Sequence, residues 1–186
     1  MTAVNVRHAL RLDDVILMVA HVPWQKAGSR QISDAEGRFA MVRAAVGDVE
    51  GLSAGRLELD REGPSYTADT LAELSAQHPG AELFTIVGDD AAARFTTWER
   101  YEEVAAASTL VVVDRPRYEV DLAKLEAAVP GLSNALEFVP IPGIAFASSD
   151  IQRRVREGRP IKYQLPEAVE AYIYAQGLYT APRTDV

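Results

Sequence analysis

The sequence predicts a doubly wound, Rossmann-like α/β fold in which helices flank a parallel sheet. Two apolar runs, 15–20 and 109–113, show no alternation of polar and apolar residues, which is typical of strands buried on both faces. Helical patterns separate the predicted strands at short spacing, as in consecutive βαβ units. Polar clusters follow the apolar runs, and ligands of such folds bind outside the carboxyl ends of the strands. The sequence therefore also predicts a ligand site at that edge.

The order of the elements follows from periodicity and from start and stop signals. Strands are predicted at 15–20, 56–60, 82–87, 109–113 and 136–141. Helices are predicted at 4–12, from 33 to about 46, at 68–77, at 91–107 with a break near 96–97, at 122–129, at 149–157 and from 166 to the residue before Gly177. Two capping boxes, Ser33 with Glu36 and Ser149 with Gln152, open two of these helices, and Thr67 is the predicted cap of a third.

Composition limits the classes of function. The 186 residues suit one domain, 1–186, with a smaller helical part at about 146–180. A net charge of −8 argues against binding of nucleic acid or an anionic membrane surface. The chain has no cysteine, and no apolar run approaches the length of a membrane span or a signal-peptide core. A cytoplasmic protein is expected; the oligomeric state, including a homo-oligomer, stays open.

Four short clusters of residues that could bind a ligand follow the predicted strands, and they are predicted to meet at one edge of the sheet. They are His21, Trp24 and Lys26, then Gly88, Asp89 and Asp90, then Arg115 and Arg117, and finally Ser148 and Ser149. Cations beside a helix start form a prospective anion site, and Trp24 and Trp98 could clamp a planar ring. No nucleophile and base occur in a recognisable arrangement. Transfer of a phosphate-containing group by positioning and charge neutralisation fits these residues better than covalent catalysis.

Several segments carry a resemblance to a known family. Residues 64–71 read Pro-Ser-Tyr-Thr-Ala-Asp-Thr-Leu, 88–90 read Gly-Asp-Asp and are followed by Thr97-Trp98, 113–116 read Val-Asp-Arg-Pro, and 23–26 read Pro-Trp-Gln-Lys. Together these segments resemble the bacterial nicotinate mononucleotide adenylyltransferases, and 23–26 is similar to their actinobacterial members. The similarity runs from about Asn5 to Tyr179.

The resemblance implies an activity and a set of site residues. The family transfers AMP from ATP to nicotinate mononucleotide in NAD biosynthesis, giving nicotinate adenine dinucleotide and pyrophosphate, with Mg²⁺. By resemblance the residues for nicotinate mononucleotide are Tyr66, Thr67, Trp98, Lys26 and Trp24, with Trp98 stacked on the pyridine ring. By resemblance the residues for ATP are Gly88, Asp90, Arg115, Ser148, Ser149 and Arg153. No residue is expected to be a dedicated metal ligand. Structural roles remain open alternatives: Tyr66 in the core, Thr67 as a helix cap and Arg115 in an ion pair.

Two departures from the family pattern bear on activity. The family's opening Gly-Gly-x-Phe-Asp-Pro-x-His-x-Gly-His motif and its strand are absent, so no catalytic residue is assigned and two strand edges are expected to lack a partner within the sheet. The family's Ile-Ser-Ser-Thr-x-Ile-Arg segment appears with Ala147 for its first serine and Gln152 for its arginine. The sequence leaves open a shortened reading of a longer gene, a catalytically impaired paralogue that binds pyridine nucleotides, and an interaction domain without a ligand.

Overall fold

A computed structural model describes residues 1–21, 34–61, 63–114, 121–143 and 147–180. The helices are α1 Thr2–Leu10, α2 Ala35–Val46, α3 Leu57–Asp60, α4 Thr67–Gln77, α5 Asp89–Ala92, α6 Tyr101–Ala107, α7 Leu122–Ala128, α8 Ser148–Arg156 and α9 Glu167–Ala175, with 3-10 turns at Phe95–Thr97 and Leu132–Ala135. The strands are β1 Val15–Met18, β2 Leu52–Gly55, β3 Phe84–Gly88, β4 Thr109–Asp114 and β5 Leu136–Pro140. The alternation of strands and helices confirms the predicted α/β class.

The described strands form two separate parallel sheets. One has the order β1-β2, with Val15 opposite Leu52, and the other has the order β3-β4-β5. Within the second sheet Gly88 lies opposite Val113, and Asp114 lies opposite Pro140. Among the described residues β1 and β3 each have one edge without a strand partner, as do β2 and β5 at the other sides of their sheets.

β4 is the centre of the core. Leu110, Val111, Val112 and Val113 are at most 2% exposed. Leu110 and Val112 pack in a cluster with residues of α4 and α6, whereas Val111 and Val113 pack with α1 and β5. Successive side chains of a strand point to opposite faces, so burial of both faces requires an uninterrupted apolar run. This is why the run at 109–113 lacks alternation.

A third apolar cluster joins the C-terminal part of the chain to α2. Its buried members are Val155, Ile161, Val169 and Ile173. Met41, Ala44 and Ala45 of α2 pack against them. The smaller helical part predicted at about 146–180 thus packs through α8 and α9 on a helix from the first half of the chain.

The strand predicted at 56–60 is wrong. These residues form the helical turn α3, and the strand is β2, four residues earlier, where a turn had been expected. Five alternating residues also fit one turn of helix, because positions i and i+4 then share a face. Arg56 uses this geometry: its Nε donates to Asp60 Oδ1 at 3.0 Å, and its other guanidinium nitrogens donate to Glu36 of α2.

The predicted helix caps are displaced. α2 begins after Asp34, whose Oδ2 accepts a hydrogen bond from Gly37 N at 3.0 Å, while Ser33 lies outside the described residues. Thr67 is the first residue of α4 rather than its cap, and Tyr66 precedes it without a side-chain capping bond. α8 begins at Ser148 after Ala147, again without a capping bond, so Ser149 is already helical and the box with Gln152 is wrong. Helix starts shift by one residue easily because fraying ends differ little in energy.

Two other boundary predictions are close to the structure. The break near 96–97 is confirmed, because the helical region divides into α5, the turn Phe95–Thr97 and α6. α9 begins at Glu167, one residue after the proline that was predicted as its first residue. Gly177 follows the helix with φ +59°, the left-handed conformation that a glycine adopts readily at a helix end.

Candidate functional site

The carboxyl ends of three strands lie at one edge of the larger sheet. The parallel register brings Gly88, Asp114 and Pro140 to this edge. Gly88 also begins the turn into α5, and a Cβ built on it would lie 2.9 Å from Asp90 Oδ1. That oxygen is the end of an exposed side chain, so a larger residue at this position would require only a movement of Asp90. The predicted location of a ligand edge is consistent with this topology.

The two acidic residues after Gly88 occupy different environments. Asp90, the predicted site residue, is exposed and lies 3.7 Å from a guanidinium nitrogen of Arg94. Asp89 is 3% exposed, and its Oδ1 accepts a hydrogen bond from Asp90 N at 2.8 Å. Asp89 Oδ2 is buried and has no hydrogen-bond partner among the described residues. Asp89 was predicted only as a member of the polar cluster after β3, because adjacent aspartates after a strand give no signal of which one is turned inward.

The start of α4 lies next to the end of the smaller sheet. Tyr66 and Thr67 are half-buried at the first turn of α4. The residue before them, Ser65, accepts a hydrogen bond through Oγ from His21 N at 3.1 Å. Arg38 of α2 donates to the carbonyl oxygens of Ala20 and His21, at 2.6 and 2.9 Å. The Pro-Ser-Tyr-Thr segment is therefore held against the chain that leaves β1.

Trp98 is part of an aromatic cluster rather than an isolated exposed ring. It is half-buried, and its ring centroid lies 5.6 Å from that of Phe95 with an interplanar angle of 58°. Phe95 is fully buried and meets Tyr101 edge-on at 6.0 Å. Trp98 Nε1 is buried and has no acceptor among the described residues. Packing thus holds one side of the indole, and the part of the side chain that stays exposed can contact a ligand.

A charged hydrogen bond connects residues 95–100, called here the Trp98 segment, with α4. Arg100 donates through Nη2 to Asp69 Oδ1, although the two residues are 31 positions apart in the chain. This hydrogen bond, followed by the nearby negative charges, raises the pKa of Arg100. Asp69 belongs to the Tyr-Thr-x-Asp-Thr-Leu motif, but no role was predicted for it, and no sequence pattern pointed to Arg100. The structure shows that a motif residue of α4 binds the segment that carries Trp98.

Of the predicted phosphate-binding residues of α8, Arg153 is already engaged by two acidic residues of the same chain segment. Ser148 is exposed and Ser149 half-buried at the first turn. Arg153 pairs with Asp150 and lies 3.5 Å from Glu157. Hydrogen bonds from Arg154 and then Arg153 hold the pKa of Asp150 below its usual value. A phosphate bound here must therefore compete with Asp150 and Glu157 for Arg153.

Trp24, Lys26, Arg115 and Arg117, which were predicted at the ligand edge, lie outside the described residues. In the described ranges no group of three or more His, Asp or Glu side chains is arranged to hold a metal ion. Nor does any helix there have the length and apolar character to cross a bilayer. A cavity of about 430 Å³ lies between α2 and α9, lined by residues that include Arg43, Arg56 and Tyr172. None of the predicted site residues lines it, so the candidate site is defined by side chains at the strand ends and the start of α4 rather than by this cavity.

Comparison with known proteins agrees with the motifs. The cytidylyltransferase-like family model matches residues 2–155. A probable nicotinate-nucleotide adenylyltransferase of Mycolicibacterium gilvum is 38% identical over 169 residues, which cover 90% of this chain and 82% of that relative. The chain belongs to the nicotinate-nucleotide adenylyltransferase family. A second relative of that name, from Corynebacterium kroppenstedtii, is 37% identical over 177 residues, covering 95% of this chain and 82% of the relative.

Solved structures of this family share the fold. The nicotinic acid mononucleotide adenylyltransferase of Plasmodium falciparum complexed with APC has a TM-score of 0.71 at 14% identity, covering 96% of this chain and 88% of that one. The same enzyme complexed with NaAD gives a TM-score of 0.68 at 15% identity, covering 94% of this chain and 90% of that one. At such low identity the likeness concerns the fold, and it confirms the Rossmann-like arrangement. Family membership makes the chain a nucleotidyltransferase.

Proposed function

We propose that this chain transfers AMP from ATP to nicotinate mononucleotide. The phosphate oxygen of the mononucleotide attacks the α-phosphorus of ATP, a new P–O bond forms, and the bond from the α-phosphorus to the bridging oxygen breaks. Pyrophosphate leaves and nicotinate adenine dinucleotide results. The observation that carries the proposal is the connection of the Tyr66-Thr67 start of α4 with the Trp98 segment through Asp69 and Arg100. The names of the relatives support the same reaction.

The start of α4 suits the carboxylate of a nicotinate ring. The free backbone N–H groups and the positive end of the dipole of an 11-residue helix attract an anion. Tyr66 and Thr67 are half-buried there, so their polar groups can meet a ligand while their carbon atoms pack on the protein. Trp98 offers the partly exposed side of an indole, which favours stacking on a flat ring. These features favour nicotinate over nicotinamide, since the amide carries no negative charge.

The position we propose for the adenosine and triphosphate is the carboxyl edge of the larger sheet. Exposed Asp90 can accept hydrogen bonds from hydroxyl groups, and Gly88 allows a ligand to approach the backbone. Ser148 and Ser149 provide hydroxyl donors at the start of α8, and Arg153 provides a cation once it leaves Asp150. The predicted Arg115 would add a second guanidinium. The role of these residues is to orient ATP and neutralise its charge, which is the main protein contribution to phosphoryl-type transfer.

Mg²⁺ fits this site as an ion that arrives with ATP. Mg²⁺ usually keeps water and binds through one or two carboxylates together with substrate phosphates. Asp90 is an exposed carboxylate at the strand edge, and the buried Oδ2 of Asp89 lacks a donor among the described residues. Because the described residues form no cluster of three metal-binding side chains, a fully protein-bound cage is not the arrangement we propose. Bound Mg²⁺ would offset negative charge on the phosphates.

Calorimetry with nicotinate mononucleotide tests the proposal. We expect binding, and we expect Trp98→Ala to weaken it by about tenfold or more, because stacking on an aromatic ring is lost. Tyr174→Ala is the matched control, since Tyr174 is an exposed aromatic residue of α9 that belongs to no predicted site. Nicotinamide mononucleotide is expected to bind more weakly. Absence of binding, or equal binding by the Trp98→Ala variant, would contradict the proposed pyridine site.

A second candidate, a pyridine-nucleotide-binding protein without catalysis, is favoured by one observation. Arg153 is held by Asp150 and Glu157, and the neighbouring position of the family's arginine is Gln152. In the same samples, formation of nicotinate adenine dinucleotide from ATP distinguishes the two candidates. Binding with product formation supports the transferase, and binding without product supports the non-catalytic protein.

A further inference from the structure

The two parts of the proposed pyridine site come from segments that are distant in the chain. Tyr66 and Thr67 begin α4, whereas Trp98 follows the 3-10 turn Phe95–Thr97. A ring bound between them is held well only if the two segments keep a fixed relation. Contacts between the start of α4 and the segment that carries Trp98 therefore determine how such a ring is held.

Trp98 is not fixed by its own polar atom. Its Nε1 is buried and has no acceptor among the described residues. A buried indole normally gains orientation from an N–H hydrogen bond. Without that bond, the direction of the ring depends on packing against Phe95 and on the course of the backbone through residues 98–100.

That backbone contains an unusual conformation at Arg100. Its φ and ψ are 54° and 42°, in the left-handed region that residues other than glycine adopt infrequently. Arg100 stands immediately before α6, two residues after Trp98. A conformation that is intrinsically disfavoured persists when surrounding contacts hold it. The carbonyl oxygen of Arg100 accepts hydrogen bonds from Glu103 N at 3.0 Å and Val104 N at 3.2 Å, both within α6, whereas its guanidinium group reaches a different helix.

The guanidinium of Arg100 binds the first turn of α4. Nη2 donates to Oδ1 of Asp69, which is two residues after Thr67 on the same rigid helix. Glu103 of α6 lies 3.6 Å from Nη1 and holds the other side of the group. Both side chains of the Asp69–Arg100 pair are 37% exposed, so water screens the pair only in part. Ala68 and Leu71, on either side of Asp69, pack in the same core cluster as Phe95.

We propose that Asp69 and Arg100 are positioning residues, whose hydrogen bond sets the indole of Trp98 against the start of α4. The inference rests on the proposed function for its consequence, which is affinity for nicotinate mononucleotide. Its structural part, the orientation of Trp98, does not depend on that function. In this proposal Asp69, a residue of the Tyr-Thr-x-Asp-Thr-Leu motif, orients Trp98 through Arg100. Arg100 affects binding without contacting the substrate.

The test uses Asp69→Asn, which keeps the shape of the side chain and removes its charge, and Arg100→Gln. Glu73→Gln is the matched control: Glu73 lies on the same helix and binds Arg61 at 2.6 Å, but it has no contact with the Trp98 segment among the described hydrogen bonds and ion pairs. The readouts are the indole ¹H–¹⁵N signal of Trp98, assigned with Trp98→Phe, and the calorimetric Kd for nicotinate mononucleotide. Urea unfolding checks that each variant folds.

We expect Asp69→Asn and Arg100→Gln to shift or broaden the Trp98 signal and to weaken binding by about three- to tenfold, a coupling typical of residues in contact. Glu73→Gln should change neither. The double variant Asp69→Arg with Arg100→Asp exchanges the two charges. It should recover part of the affinity that the single variants lose, since aspartate tolerates the left-handed conformation at position 100. An unchanged Trp98 signal in both single variants overturns the inference, and so does failure of both to fold, which would make the pair purely structural.

Failure of the proposed function has a different signature. In that case the unaltered chain does not bind nicotinate mononucleotide, but the Trp98 signal still responds to Asp69→Asn. If the unaltered chain binds and the Asp69→Asn and Arg100→Gln variants bind equally well, the proposed function stands and the positioning inference is wrong.

Discussion

Phe95 supports Trp98 and lies in the main core. It is fully buried, packs with Ala68 and Leu71 of α4, and contacts the rings of Trp98 and Tyr101. Each of these contacts joins a different element to the short 3-10 turn. Phe95, one of two fully buried residues in the segment from Gly88 to Trp98, therefore supports the ring on which the proposed site depends.

We expect Phe95→Ala to lower the free energy of unfolding by about 3–5 kcal/mol, because it removes a buried ring and leaves a cavity. Urea unfolding followed by circular dichroism measures this change. Tyr174→Ala, at an aromatic residue that is 51% exposed, should change stability by less than about 0.5 kcal/mol. A similar small effect for both variants would show that Phe95 is not part of the cooperative core.

At the scale of single elements, α2 illustrates how a helix start is fixed. Asp34 accepts a hydrogen bond from Gly37 N and so satisfies one of the free amides of the first turn. α2 in turn packs on β2 and α9 and contributes Arg38, which binds the carbonyl groups after β1. The cap therefore stabilises a helix that holds both the smaller sheet and the C-terminal part.

Replacing Asp34 by alanine should cost about 1 kcal/mol of stability, since the amide of Gly37 loses its acceptor. Asp34→Asn is the control, because asparagine caps helices about as well as aspartate. The measurement is the urea midpoint of both variants against the unaltered chain. Equal loss in the two variants would mean that the charge of Asp34, rather than its capping bond, is what matters.

Across the whole molecule, the edge strands of the two sheets differ in character. β5 carries Glu137 and Pro140, a charge and a residue without an N–H, which are common devices against edge-to-edge pairing. β3 reads Phe-Thr-Ile-Val-Gly and β1 reads Val-Ile-Leu-Met, without a charge or proline. By sequence these two strands resemble interior strands, although in the described part of the chain each lies at the edge of its sheet.

Residue-resolved hydrogen exchange should report this arrangement. The amides of Val15 and Val19 donate to the chain of β2, at 2.8 and 3.2 Å, so the amides of Ile16 and Met18 point away from β2. We expect Ile16 and Met18 to exchange much faster than Val111 and Val112 of β4, which has a strand on both sides. Equally slow exchange would show that the free edge of β1 is paired in solution.

The single domain, the cytoplasmic location, the oligomeric state and the absence of nucleic-acid partners remain predictions.

The sequence alone determined the α/β class, most strand positions and the family motifs. The uninterrupted apolar run at 109–113 predicted a strand buried on both faces, because a strand with two buried faces needs apolar residues at successive positions. The same reasoning failed at 56–60, where a period of two over five residues also fits one helical turn. Short patterns do not distinguish periods that coincide over so few residues.

Only the tertiary structure decided how the candidate site is held together. The sequence selected Tyr66, Thr67, Trp98 and Asp90, but it could not show that Asp89 is the buried carboxylate or that Asp69 binds Arg100. Local periodicity reports which way a residue faces its own element, and it carries no information on partners 31 positions away. Such pairs form because packing of α4, the Trp98 segment and β4 into one core brings them within hydrogen-bond distance.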